Sequence, residues 1–159
     1  MRVKLTPHEV QAGAIIGIER HIQAMAKGLK DKHGLRAQDR WRVHIEGACG
    51  EIAFAKAMNM YWSPSVNTFK GHPDIGSFEI RTRSQQNYDL LVREDDEDDR
   101  IFVLVVGMAP QFRLVGWLTG KEAKQQRYLQ TYGDRPPAYF VPQDKLHSIE
   151  SLRCLNSSS

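Results

Sequence analysis

A mixed α/β fold (α+β, with a mixed sheet) in one domain is what this sequence predicts, and three features predict it. Over the first third of the chain, apolar residues recur every three or four positions, the spacing of amphipathic helices. Past Pro64 the period switches to the alternation of half-buried strands. Finally, Ile101-Phe102-Val103-Leu104-Val105-Val106 is apolar throughout, as a central strand covered on both faces would be. The chain has 159 residues, enough for one sizeable core, and neither a repeat nor a linker interrupts it. One domain is expected over residues 1–155, with 156–159 as a disordered tail.

The elements follow in order. Thr6-Pro7-His8-Glu9 opens a helix, with Thr6 as N-cap, Pro7 at the first helical position and Glu9 closing a capping box. Val10, Ala14, Ile18, Ile22, Met25 and Leu29 form its predicted buried stripe, and Gly34 its stop. A second helix is predicted from Gln38-Asp39 to about Met60, with Trp41, Ile45, Ala48, Ile52 and Ala55 as its seam. Strands are expected at Val66 to Phe69, Phe78 to Arg83, Tyr88 to Val92, Ile101 to Gly107 and Phe112 to Leu118. The third and fourth of these read as a hairpin around the acidic run Glu94-Asp95-Asp96-Glu97-Asp98-Asp99, which should be a solvated tip. Thr119 and Glu122 offer a second capping box for a helix lasting to about Leu129. A short strand at Ala138 to Val141 and a helix from Gln143 to Leu152 complete the chain.

Composition removes several function classes. No apolar run approaches the roughly 20 residues that span a bilayer, and the N-terminus lacks the pattern of a secretory signal. Cys49 and Cys154 stand far apart without CxxC spacing, which argues against a zinc knuckle or disulfide scaffold and suits a reducing cytoplasm. No HxxxH, GxxxxGK[ST] or GxSxG motif occurs, so zinc-enzyme, ATPase and serine-hydrolase readings lack support. The net charge is +3, but six of the 19 acids lie in the single run. The remainder, with all 22 lysines and arginines, is strongly basic and compatible with a polyanionic partner docking away from the run. Lys30 to Arg36 with Arg40 and Arg42 form a basic corner, and Lys121, Lys124 and Arg127 recur on one face of the expected third helix.

The most informative segment is Gly71-His72-Pro73-Asp74-Ile75-Gly76-Ser77-Phe78-Glu79-Ile80-Arg81. Alternation along a strand puts Glu79, Arg81 and Arg83 on one face and Phe78, Ile80 and Thr82 on the other. Asp74 precedes the Gly76-Ser77 turn, so its carboxylate can swing back beside Glu79. Two carboxylates so placed repel unless a cation sits between them, and oxygen ligands favour Mg2+ or Mn2+. The same residues also fit a turn aspartate and a strand with surface ion pairs. On the second helix, Glu51 falls roughly 80° from the centre of the apolar seam, on its shoulder, and Glu46 about 140° away, in solvent. Gly47, Gly50 and Ala55 around Glu51 leave room for a strand or a nucleic-acid backbone.

Gly50-Glu51-Ile52-Ala53-Phe54-Ala55, then Pro73-Asp74, then Glu79-Ile80-Arg81, resembles the PD-(D/E)XK nuclease superfamily. Val115 to Lys121 and Tyr139-Phe140-Val141-Pro142 are similar to small phage-type members, and the resemblance runs from about Arg40 to Leu152. It implies an αβββαβ core preceded by an extra N-terminal helix, and a Mg2+- (or Mn2+-) dependent deoxyribonuclease acting on DNA. By position, Asp74 and Glu79 would hold the cation with the Ile80 carbonyl, and Glu51 would bind it directly or through water. Gln85 or Gln86 would orient water or a phosphate. The motif lysine is replaced by Arg81, whose guanidinium stays charged and cannot serve as a base, though it can brace a phosphate. The alternative is a catalytically silent nuclease-fold protein that binds DNA or protein. A homodimer or other oligomer is compatible with this reading; no membrane partner is expected, and the expected location is the cytoplasm, the host's if phage-encoded.

Overall fold

Thr6 opens the first helix as predicted: its hydroxyl accepts from the Glu9 amide at 3.3 Å, and the Glu9 carboxylate accepts from the Thr6 amide at 2.6 Å. The computed structural model describes residues 1–28, 39–66 and 73–156. Its elements are β1 (Arg2–Lys4), α1 (Pro7–Ala26), α2 (Arg40–Met58), β2 (Phe78–Arg83), β3 (Leu90–Arg93), β4 (Ile101–Met108), β5 (Gln111–Thr119), α3 (Gly120–Ala123), β6 (Leu129–Gln130), β7 (Ala138–Val141) and α4 (Ile149–Asn156). The fold is mixed α/β, in one domain. The expectations at Leu29, Lys30 to Arg36, the strand residues 67–69 and tail residues 157–159 lie outside the described residues. Val66 is not in a strand, and Asn156 belongs to α4. Among the described residues, no helix is long and apolar enough to cross a membrane.

Two sheets form. One is four-stranded in the order β1-β5-β4-β2, with β2 parallel to β4 and the other pairs antiparallel. The other is an antiparallel sheet in the order β3-β7-β6. The apolar run in β4 is covered on both faces, as its sequence requires. Val103 and Val105 join Ile52, Phe54, Phe78 and Ile80 in the core under α2. Phe102, Leu104 and Val106 join Leu90, Val92 and Val141 in the core between the sheets.

The predicted hairpin around the acidic run does not form. β3 pairs with β7, and β4 with β2 and β5, so the run passes from one sheet to the other. Nor is the run wholly solvated: the Asp96 carboxylate accepts from the Arg93 amide and from Arg81, Glu97 pairs with Arg100, and Asp98 with Lys124. The third helix ends at Ala123, so Lys124 and Arg127 are not on one helical face with Lys121. Gln143–Lys145 makes a single tight turn separate from α4.

The first helix is turned by roughly 80° from its predicted stripe. Its buried residues are Gly13, Gly17 and His21, while Ile15, Ile18, Ile22 and Met25 are exposed. The cause is the closeness of α2: a Cβ on Gly17 would stand 2.5 Å from the Ile45 Cα and 2.6 Å from its nitrogen. Backbone contact at glycine outcompetes side-chain burial at isoleucine. Gly17→Ala is accordingly expected to push the helices apart and cost about 1–3 kcal/mol, read as a lower urea midpoint with an unchanged slope.

Candidate active site

Two chain features place Asp74. The backbone from Asp74 to Phe78 folds into a tight turn, the Asp74 and Ile75 amides both donating to the Phe78 carbonyl at 3.0 and 3.2 Å. Gly76 turns the chain at φ 58°, where a side chain would be strained. β2 is an edge strand, so alternate amides point away from the sheet. The Asp74 Oδ2 accepts from one of them, Ile80 N–H, at 2.7 Å. A residue in a strand directs its N–H and C=O to the same side, so the Ile80 carbonyl opens on the edge where Asp74 sits.

The other acids approach from the two faces of that edge. Phe78 and Ile80 point into the core beneath α2, and Glu79 points to the opposite face. α2 comes very close to β2 at Gly50, where a Cβ would lie 2.0 Å from the Thr82 Oγ1. That approach brings the neighbouring Glu51 to the strand from above. Residues Ala48 through Ala55 are all buried, because α1 covers one side of α2 and the sheet the other. Glu51 is therefore only 5 % exposed, well inside the shoulder position its spacing suggested. Glu46 departs from its expected solvent position too: half-buried, it accepts from the Ala109 amide at 3.2 Å, and burial raises its pKa.

Glu51 is neutralised by a clamp. Arg20 donates from Nη1 to Oε1 at 2.6 Å and from Nη2 to Oε2 at 3.0 Å, and Trp62 Nε1 donates to Oε2 at 2.9 Å. Burial works against the Arg20 charge, but the bond and charge of Glu51, with Asp74 behind it, hold its pKa above the ordinary value. Among the described residues, no cationic side chain hydrogen-bonds Asp74, whose Oδ2 accepts from the Ile80 amide. Burial first, then the Glu51 and Glu79 carboxylates, push its pKa up to about 7, against the opposing pull of the Ile80 amide and Arg81. The Glu79 carboxyl is also raised, chiefly by burial, although Arg81 and Arg100 oppose the shift. Arg100 stands 3.6 Å from it.

Arg81 shares the Glu79 face. Its Nη2 donates to the Asp96 Oδ2 at 2.8 Å, and its guanidinium carbon lies 5.1 Å from the centre of the Phe102 ring. Its Nε is buried without a hydrogen-bond partner among the described residues. Gln85 is exposed, past the C-terminal end of β2, so the structure does not bring it to Asp74. Gln86 is engaged with Arg113. The structure thus brings Glu51, Asp74, Glu79, the Ile80 backbone and Arg81 around one strand edge and leaves the glutamines apart.

Sequence reasoning missed Arg20, Trp62, Asp96 and Arg100. Arg20 had a signal, since it flanks the row Gly13, Gly17 and His21, where small residues announce a close helix contact. The pairing of Asp96 with Arg81 depends on the path between the sheets and left no local trace.

The donor set suits a hard cation: oxygen atoms only, with the half-buried Asp74 carboxylate between Glu51 and Glu79. Among the described residues, no three His, Cys, Asp or Glu side chains converge closely enough to hold a metal ion by themselves. Mg2+ does not require that, since one or two carboxylates, waters and substrate phosphate commonly complete its shell. Compared with known proteins, the chain matches no family model, no curated protein and no solved structure.

Proposed function

We propose that this protein is a divalent-cation-dependent DNA nuclease of the PD-(D/E)XK type. The observation that carries the reading is Asp74: a half-buried carboxylate at the open edge of a strand, whose pKa is raised by burial and by the Glu51 and Glu79 carboxylates. Asp74 and Glu79, with the Ile80 carbonyl, would hold Mg2+ or Mn2+. When bound, such an ion polarises the scissile phosphate and acidifies the attacking water.

The chain's own residues supply the rest. The Ile80 amide fixes the Asp74 carboxylate through one oxygen and leaves Oδ1 outside that bond. Glu51, with both oxygens engaged by Arg20, acts as a buried charge that raises the proton affinity of Asp74 and strengthens its pull on a cation. A guanidinium such as that of Arg81 is no base for the proton of water. Its place on the Glu79 face suits it to stabilise the extra negative charge of the phosphate as the bond to water forms and the bond to the leaving oxygen breaks.

One observation favours a second reading. Asp96 already neutralises Arg81, which fits a nuclease-like protein whose role is binding. The two readings are separated by incubating plasmid, linear and branched DNA with Mg2+, Mn2+ or chelator. A nuclease cuts only with the cation, loses about 100-fold or more in rate on Arg81→Ala, and keeps measurable activity on Arg81→Lys. An inert wild type that begins to cut as Arg81→Lys or Asp96→Asn is a silenced nuclease. Cleavage at full rate by Arg81→Ala would remove that residue from the mechanism.

A further inference from the structure

A cleft of about 760 Å3 opens on the three-stranded sheet, beside the proposed cation site. It continues the face of β2 that carries Glu79 and Arg81, since Arg83 is the next residue on that face and lines the cleft. Its walls combine three arginines, Arg83, Arg93 and Arg135, with three aromatic rings, Tyr88, Tyr132 and Phe140. The Arg83 guanidinium lies 4.6 Å from the centre of the Tyr88 ring and 5.9 Å from that of Phe140, and its Nη1 donates to the Asp89 carbonyl at 3.1 Å. Tyr132 meets Phe140 edge-on at 4.9 Å. Arg93 keeps a buried Nε without a hydrogen-bond partner among the described residues.

This chemistry has a specific match. Flat rings and guanidinium planes stack on nucleobases, and arginines pair with the phosphates between them. The volume lies within the range of ordinary small-ligand clefts, roughly 300–1,000 Å3, which admits one or two nucleotides. Bases inside a duplex keep their faces in the stack, so only an unpaired nucleotide can present one to Tyr132 or Phe140. Asp89, Glu94 and Asp95 also line the cleft, the last two exposed.

We propose that this cleft seats an unpaired nucleotide of a single DNA strand, which makes single-stranded or frayed DNA the substrate of the neighbouring site. The substrate assignment rests on the nuclease reading; the binding does not. Binding is therefore measured in chelator, where no cation enters, as the fluorescence anisotropy of a labelled oligothymidine of about 12 nucleotides against a blunt duplex of equal length. The wild type should bind the single strand at least about tenfold more tightly than the duplex. Tyr132→Ala and Arg135→Ala, both at exposed positions, should each weaken single-strand binding about tenfold while leaving the melting temperature unchanged. Equal affinity for strand and duplex would overturn the proposal, and so would full-strength binding by both variants. Strand binding that depends on the cleft, in a protein that cuts no DNA with Mg2+ or Mn2+, would leave the cleft assigned and reject the nuclease.

Discussion

Asp74→Asn should abolish divalent-cation binding and DNA cleavage while making the protein more stable at neutral and alkaline pH. The two effects share one cause. The ordinary carboxyl pKa of 3.8 is raised to about 7 in the folded chain, so between those values the native state holds a proton that the unfolded state has released. Stability from this group is then greatest below about pH 4, falls as pH rises towards 7, and is flat above that. Asparagine keeps the shape, keeps a carbonyl oxygen for the Ile80 amide, and carries no charge for Glu51 and Glu79 to repel. At pH 8 the variant should melt above the wild type, and its lead should vanish near pH 4. Mn2+ titration, followed by water-proton relaxation, should show a wild-type site and none in the variant. In the wild type, added Mg2+ or Mn2+ should raise the melting temperature most at high pH, where the cation meets a carboxylate already free of its proton. Equal Mn2+ binding by the two proteins would reject Asp74 as a ligand. A variant less stable than the wild type at pH 8 would reject the account of its charge.

Arg20→Ala should cost about 3–5 kcal/mol, the range for breaking a buried ion pair from one side. The loss is not that of the attraction alone. Glu51 would remain buried with Trp62 as its remaining donor among the described residues, and its uncompensated charge would push the Asp74 carboxyl still higher. Arg20→Lys should recover only part of the loss, because an ammonium cannot make the two parallel bonds of the guanidinium fork. Adding Glu51→Leu to Arg20→Ala removes the stranded charge and should restore much of the stability. Urea unfolding of the wild type, these three variants and Glu51→Leu alone checks the series. Additive losses in the double variant would mean that the two residues do not act as a pair.

The parts of the fold legible in the sequence are those decided by neighbours in the chain. The Thr6–Glu9 and Thr119–Glu122 capping boxes form as read, and the Phe78 to Arg83 alternation gives a strand with one buried face. What failed needed partners far along the chain. β1 has only three residues and exists because β5 offers an edge to it. Strand pairing around the acidic run was read from proximity in sequence, whereas β3 finds β7 instead. The orientation of α1 was read from its large apolar residues, but two glycines that allow backbone contact decide it. At the site, Asp74, Glu79 and Arg81 were legible because a turn and one strand place them. The burial of Glu51 was not, since one helical seam in the sequence cannot reveal that α2 is covered from two sides.

β4 has a consequence for how the molecule holds together. Successive residues of this strand alternate between the two cores, Val103 and Val105 facing α2 and Phe102, Leu104 and Val106 facing the second sheet. It is a party wall: neither side can be taken down while the other stands, because loosening one core withdraws the backing of the other. The two layers therefore share one cooperative unit. The arginine-rich cleft and Glu79 are built on one side of that wall and α2 with Glu51 on the other, so the spacing between them is set by a strand that both cores hold in place.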